Sequence, residues 1–252
     1  MKWKNLSSIN QLGELGEKIS YKWNEDISME IEEIDNEKII RALDHISYKG
    51  RMAVGALIYE WIICRFEGLA DITDAAIRLD AAWASAIAPC YSKYLDFEYT
   101  YEGNYFETHP MESCILKAQA VLELINLRYL NGDVCLGGPV ANLIHLAKHI
   151  RKDKKSFSLW LSEIIKKTSK TFPFEMDIDE YYDDDDNDKT YDCLDEEPVY
   201  RDFFETDFVH TPENAKKAIN DFLKNLDPLK NPYLCTPEEM IANGFKGTPY
   251  KY

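Results

Sequence analysis

The stretch RMAVGALIYEWIICRFE, residues 51–67, decides the fold. Read as a helix, it is apolar around most of its circumference and, between its charged end residues Arg51 and Glu67, is broken only by Glu60 and Arg65. A helix at the surface of a protein shows a single apolar stripe, whereas one that is apolar on all sides is surrounded by other elements. The apolar run Met52–Phe66 falls short of the roughly 20 residues that cross a bilayer, and two charges interrupt it. It therefore predicts the central helix of a multi-helix body and no membrane segment.

Outward from this stretch, apolar residues recur at three- and four-residue intervals, as in Ile31, Ile34, Ile39 and Leu43 and in Ile72, Ala76, Leu79, Trp83 and Ile87. The spacing predicts helices at 29–47, 51–67, 71–88, 110–130, 139–151 and 156–170. Gly50, Gly68, Pro89, Pro110 and Asn131-Gly132 supply the punctuation. Near the C-terminus, Thr211-Pro212-Glu213 and Thr236-Pro237-Glu238-Glu239 each place a capping hydroxyl before a proline suited to the first helical position. Glu239 completes a capping box. Helices at 212–226 and 237–243 follow, then an aromatic tail with Phe245, Tyr250 and Tyr252. The expectation is an all-α chain, a single domain over 1–252 with seven to eight helices, carrying an acidic, partly irregular insertion near 171–211.

That insertion carries most of the charge. Between Thr171 and Glu213, seventeen Asp or Glu residues stand against Lys189 and Arg201 alone, in a chain whose net charge is −16. Just before it, residues 148–170 form a basic block of Lys148, Arg151, Lys152, Lys154, Lys155, Lys166, Lys167 and Lys170. The acids are interleaved with Phe172, Phe174, Tyr181, Tyr182, Tyr191, Tyr200, Phe203, Phe204 and Phe208. A purely solvating acidic stretch would contain few aromatic residues. Three readings follow: a surface for a cationic partner, an internal clasp over the basic block, or an ordinary loop around the Asp183–Asp188 run.

Other chemistry is thinly signalled. Asp184, Asp186, Asp188, Thr190, Asp192 and Asp195 match EF-hand ligand spacing. However, Lys189 stands where the turn needs Gly, and Asp195 stands where a bidentate Glu belongs. His145 and His149 are four apart on a helix without a zincin Glu between them, and they suit a helix C-terminal half, where positive charge is favoured. Cys135 precedes Gly137-Gly138-Pro139, a turn where backbone amides and a helix dipole can activate a thiol. Glu60 among Tyr59, Trp61, Ile62 and Ile63 reads as a buried acid whose partner is Arg51, Arg65 or Arg78. No GxSxG, P-loop, GxGxxG or HExxH is present, which removes the common motif-marked enzyme classes. No cofactor and no metal site is expected, and the chain reads as a non-enzyme. The first twenty residues lack the apolar core of a secretory signal, and the six cysteines lie at least 21 residues apart, so the expectation is a cytoplasmic protein with reduced thiols.

An all-helical body with one intensely acidic, aromatic-studded segment resembles the cytoplasmic immunity proteins that bacteria make against antibacterial toxins. The resemblance rests on residues 171–213 and the helical body. It implies stoichiometric neutralisation of a cognate toxin with a basic surface, such as a nuclease domain. The residues it implies for steering are Asp183, Asp184, Asp185, Asp186, Asp188, Asp192, Asp195, Glu196 and Glu197. Tyr181, Tyr182, Tyr191, Tyr200, Phe203 and Phe204 would be the anchors. The competing expectation is a nucleic-acid-binding or regulatory module that uses the 148–170 block, masked by the acidic segment. An enzyme using Glu60, Cys135 or the His145/His149 pair is the third.

Overall fold

Ser47 opens the central helix. Its hydroxyl accepts from the Gly50 amide at 3.1 Å, and the helix then runs Tyr48–Arg65 with all 18 of its residues buried. Gly50 lies inside the first turn and not before it, and a Cβ there would stand 2.4 Å from Ile46 Cγ2, which favours glycine. In this computed structural model, which describes residues 5–34, 36–98, 105–176 and 190–252, the fold is built around that helix.

In chain order the helices are α1 (Ser7–Asn10), α2 (Glu25–Glu33), α3 (Glu37–Asp44), α4 (Tyr48–Arg65), α5 (Thr73–Ile87), α6 (Tyr105–Thr108), α7 (Pro110–Leu130), α8 (Gly137–Ile150), α9 (Lys154–Thr171), α10 (Pro212–Lys224) and α11 (Pro237–Ala242). Single 3₁₀ turns lie at Pro89–Tyr91 and Arg201–Phe204. Eight of the α-helices have seven residues or more, and no strand occurs among the described residues. α5, α7 and α8 pack around α4, α7 and α8 pack on each other, and α3 and α9 flank the group. None of the described helices is long and apolar enough to cross a membrane, and all six cysteines are free thiols.

Most predicted helices appear within a few residues of their expected bounds, and the capping box at Thr236 and Glu239 is formed. The segment 29–47 is divided: α2 ends at Glu33, Ile34 turns to an extended backbone, and α3 begins at Glu37. Its apolar spacing is nearly continuous, so only the backbone shows the break.

Candidate functional site

The acidic segment leaves α9 along the start of α4. Phe172 O accepts from the Ser47 amide at 2.8 Å and His45 O from the Phe174 amide at 3.1 Å, with Ile46 and Pro173 paired as an isolated antiparallel bridge. Residues 177–189 lie outside the described residues, and with them Tyr181, Tyr182, Asp183, Asp184, Asp185, Asp186 and Asp188. The first half of the calcium-like spacing falls there too. Among the described residues, no group of three or more His, Cys, Asp and Glu is placed to hold a metal ion.

The segment re-enters at the α7–α8 turn, where the Tyr191 amide donates to Gly132 O at 2.8 Å. Gly132 has φ +70, and a Cβ there would lie 2.7 Å from Tyr191 O, so both the left-handed backbone and the close approach require glycine. From this point the segment is locked to the core by three sets of contacts.

Glu196 is the first. Its carboxylate accepts the Tyr48 amide at 2.9 Å, the Lys49 amide at 2.8 Å and the Tyr191 hydroxyl at 2.9 Å. An anion on the first free amides of an 18-residue helix satisfies donors that have no intrahelical partner and meets the positive end of the dipole. Lys49, itself buried, answers by donating from Nζ to Glu196 O at 2.7 Å and to Leu194 O at 3.4 Å. Burial lowers the pKa of its amine.

Arg201 is the second. Its guanidinium grips both oxygens of Glu60: Nε lies 2.9 and 3.1 Å away, and Nη2 also donates. Trp83 Nε1 donates to the same carboxylate at 2.9 Å. The buried acid is thus an ion-pair member as expected, but its partner is none of the three arginines named from the sequence. Arg51 is committed to the carbonyls of Ile46, Val134 and Asp44, Arg65 to Glu17 O, and Arg78 to Asp74 and Leu95 O. Those three lie within 18 residues of Glu60 in sequence, whereas the chain returned a cation from 141 residues away. Burial raises the Glu60 pKa, with Arg201 and Trp83 opposing it.

The aromatic residues form the third. Tyr200, Phe203 and Phe204 are each only 1% exposed. Phe204 packs on Trp83 at 5.7 Å, Phe203 edge-on to Phe172 at 4.9 Å, and the Tyr200 hydroxyl meets His210 Nδ1 at 2.9 Å. Their expected role as partner anchors is corrected: they bury large apolar areas in the protein's own core and are not accessible to a partner. Tyr191 is half-buried, with its ring edge-on to Tyr48 at 5.3 Å.

Four other acids of the segment face outward. Glu175, Asp192, Asp195 and Glu197 are exposed around a cavity of about 330 Å³ whose inner wall includes Ser47 and Tyr191. Asp192 Oδ1 accepts the Leu194 amide at 2.9 Å, and Glu197 lies 3.4 Å from His210 Nε2, so the ridge that carries them is shaped locally.

The other candidates lie elsewhere in the fold. The described ion pairs of the basic block run to the N-terminal segment, Arg151 to Glu14 and Lys152 to Glu17. Lys167 does reach the acidic segment, but at Phe203 O (2.6 Å) and not at a carboxylate. His149 Nε2 donates to Lys22 O at 2.8 Å, and its ring packs against Tyr21 and Trp23. The pKa of His145 is lowered, by burial first and by Lys148 second, so burial outweighs the helix-end preference for a cation. Cys135 sits in the turn before α8, its amide on Asp133 Oδ1 and its carbonyl on Arg128.

Comparison of the chain with family models, curated proteins and solved structures found no match.

Proposed function

We propose that the chain is a cytoplasmic binding protein that neutralises a cationic partner, in the manner of an immunity protein that covers a basic toxin domain. The observation that carries this reading is the two-sidedness of residues 190–205. Its inward side chains, Glu196, Tyr200, Arg201, Phe203 and Phe204, are tied into the core, which leaves Asp192, Asp195 and Glu197 outside on a fixed ridge. Fixed like charges steer an oppositely charged protein and suppress wrong partners, at little ordering cost on binding. The five candidate aspartates of 183–188 would add to the same negative charge.

The test is affinity capture from a lysate of the organism that makes the chain, using the intact protein and the D192N/D195N/E197Q variant. The variant leaves Glu196 and Arg201 in place, whereas a deletion through 197 would remove the cap on α4. One basic protein retained by the intact chain and released by the variant is the expected outcome. Equal retention by both overturns the assignment of the face. Nucleic acid retained in its place favours the basic surface of α9, where Lys154, Lys155, Lys166 and Lys170 are exposed.

A further inference from the structure

The ridge Leu194–Glu197 has a second flank. There it forms one wall of a groove of about 750 Å³ whose other wall is the C-terminal tail, Asn243–Lys246 with Lys251 and Tyr252. Ligand sites commonly occupy about 300–1,000 Å³. The floor is apolar: Ile87 and Tyr91 are 2% and 3% exposed, with Ala88 and Phe245 beside them.

Both walls are preformed. The ridge is held by Lys49 Nζ on the carbonyls of Leu194 and Glu196. The tail is held by Tyr250, whose hydroxyl donates to Cys235 O at 2.5 Å and whose ring packs 5.4 Å from Tyr91. Asn220 completes the attachment by bonding both the amide and the carbonyl of Tyr252, at 3.0 and 2.8 Å. The rims carry opposite charge: exposed Asp195 and Glu197 on the ridge face exposed Lys246 and Lys251 on the tail. Leu194, 68% exposed, crowns the acidic rim.

We propose that this groove receives an aromatic side chain from a loop of the partner protein, with a basic residue of that loop over Asp195 and Glu197 and a carboxylate over Lys246 and Lys251. The assignment rests on the partner-binding reading above and supplies what that face lacks. Tyr200, Phe203 and Phe204 are spent in the core, and binding energy at interfaces concentrates where aromatic anchors fill desolvated pockets. The ridge is shared by the acidic cavity and the groove, so one partner surface reaches both. The charge pattern favours a loop carrying both signs over a purely cationic one, because the tail rim repels a second lysine.

Cys90 lines the groove and reports its occupancy, while Cys135, also half-buried, lies in the turn before α8 and serves as an internal reference. The probe is the capped peptide Gly-Arg-Phe-Glu-Gly, compared with the same peptide bearing Ser for Phe. The readout is the rate of N-ethylmaleimide addition to each cysteine of the full chain, resolved by mass spectrometry. The Phe peptide is expected to slow Cys90 about threefold at about twice its dissociation constant, with Cys135 unchanged. Ala88→Phe, which fills the floor, should abolish the peptide dependence. The exposed pair K246E/K251E should weaken the peptide about tenfold, through lost attraction and added repulsion, without altering the fold. Equal protection by the Ser peptide, or no protection of Cys90 by either, overturns the groove assignment. Absent protection combined with capture that still depends on Asp192, Asp195 and Glu197 removes the groove and leaves the binding face. Protection combined with capture indifferent to those acids does the reverse.

Discussion

Arg201, carried on the acidic segment, closes on Glu60 in the C-terminal half of the central helix with both carboxylate oxygens engaged and Trp83 Nε1 completing the set at 2.9 Å. Removing one member of a buried pair strands the other charge without water, which typically costs about 3–5 kcal/mol. Arg201→Ala should therefore lower the unfolding free energy by about that amount. Replacing both members with apolar residues, as in E60L/R201M, should cost less than Arg201→Ala alone. Urea denaturation of the three chains decides. A near-neutral Arg201→Ala would mean that the segment is only loosely held.

Asp80 supplies a pH signature. Burial pushes its carboxyl up to about 6, against the attraction of Arg201 and with Glu60 adding to the rise. A raised folded-state value means that the native protein keeps a proton the unfolded chain has released. Between about pH 4 and 6 this group's contribution therefore falls as pH rises, and above pH 6 its charged form is a standing penalty. Asp80→Asn should stabilise the protein at neutral pH by about 1–2 kcal/mol, the full shift being discounted for partial exposure. The gain should shrink toward zero near pH 4. Urea midpoints of the two chains across that range provide the check, and a gain independent of pH would remove Asp80 as its source.

Glu196 was named from the sequence as a steering charge, but its carboxylate sits on the amides of Tyr48 and Lys49. Glu196→Ala should cost about 1–2 kcal/mol, the range for a lost helix cap with an anion at the dipole. It should also speed hydrogen exchange at those two amides selectively. Unchanged exchange there would contradict the capping role.

The helical body was legible because its signals are local. The apolar circumference of 51–67 placed the core helix, and Pro110, Pro212 and the Thr236 capping box set helix starts that the structure reproduces within a residue. The site was harder to read because its signals are long-range. Asp195, Glu196 and Glu197 are consecutive acids with nothing in their spacing to separate a cap from an exposed charge. Only the packing of Tyr191 on Gly132 fixes which of them turns inward. Arg201 was the stronger clue: of the two cations in the acidic stretch, it is the one next to Tyr200, Phe203 and Phe204, where a buried carboxylate could be met. The short helix Ser7–Asn10 has no extended periodicity and was not anticipated.

The central claim is that the inward half of the segment folds the protein while its outward acids steer a partner. Stopped-flow association of the captured basic protein with the intact chain and with D192N/D195N/E197Q, at low and high salt, tests it most directly. The account predicts association slowed about tenfold at low salt, a gap that closes as salt rises, and an unchanged melting temperature. Identical rates at every salt concentration, or a variant that melts well below the intact chain, would contradict it.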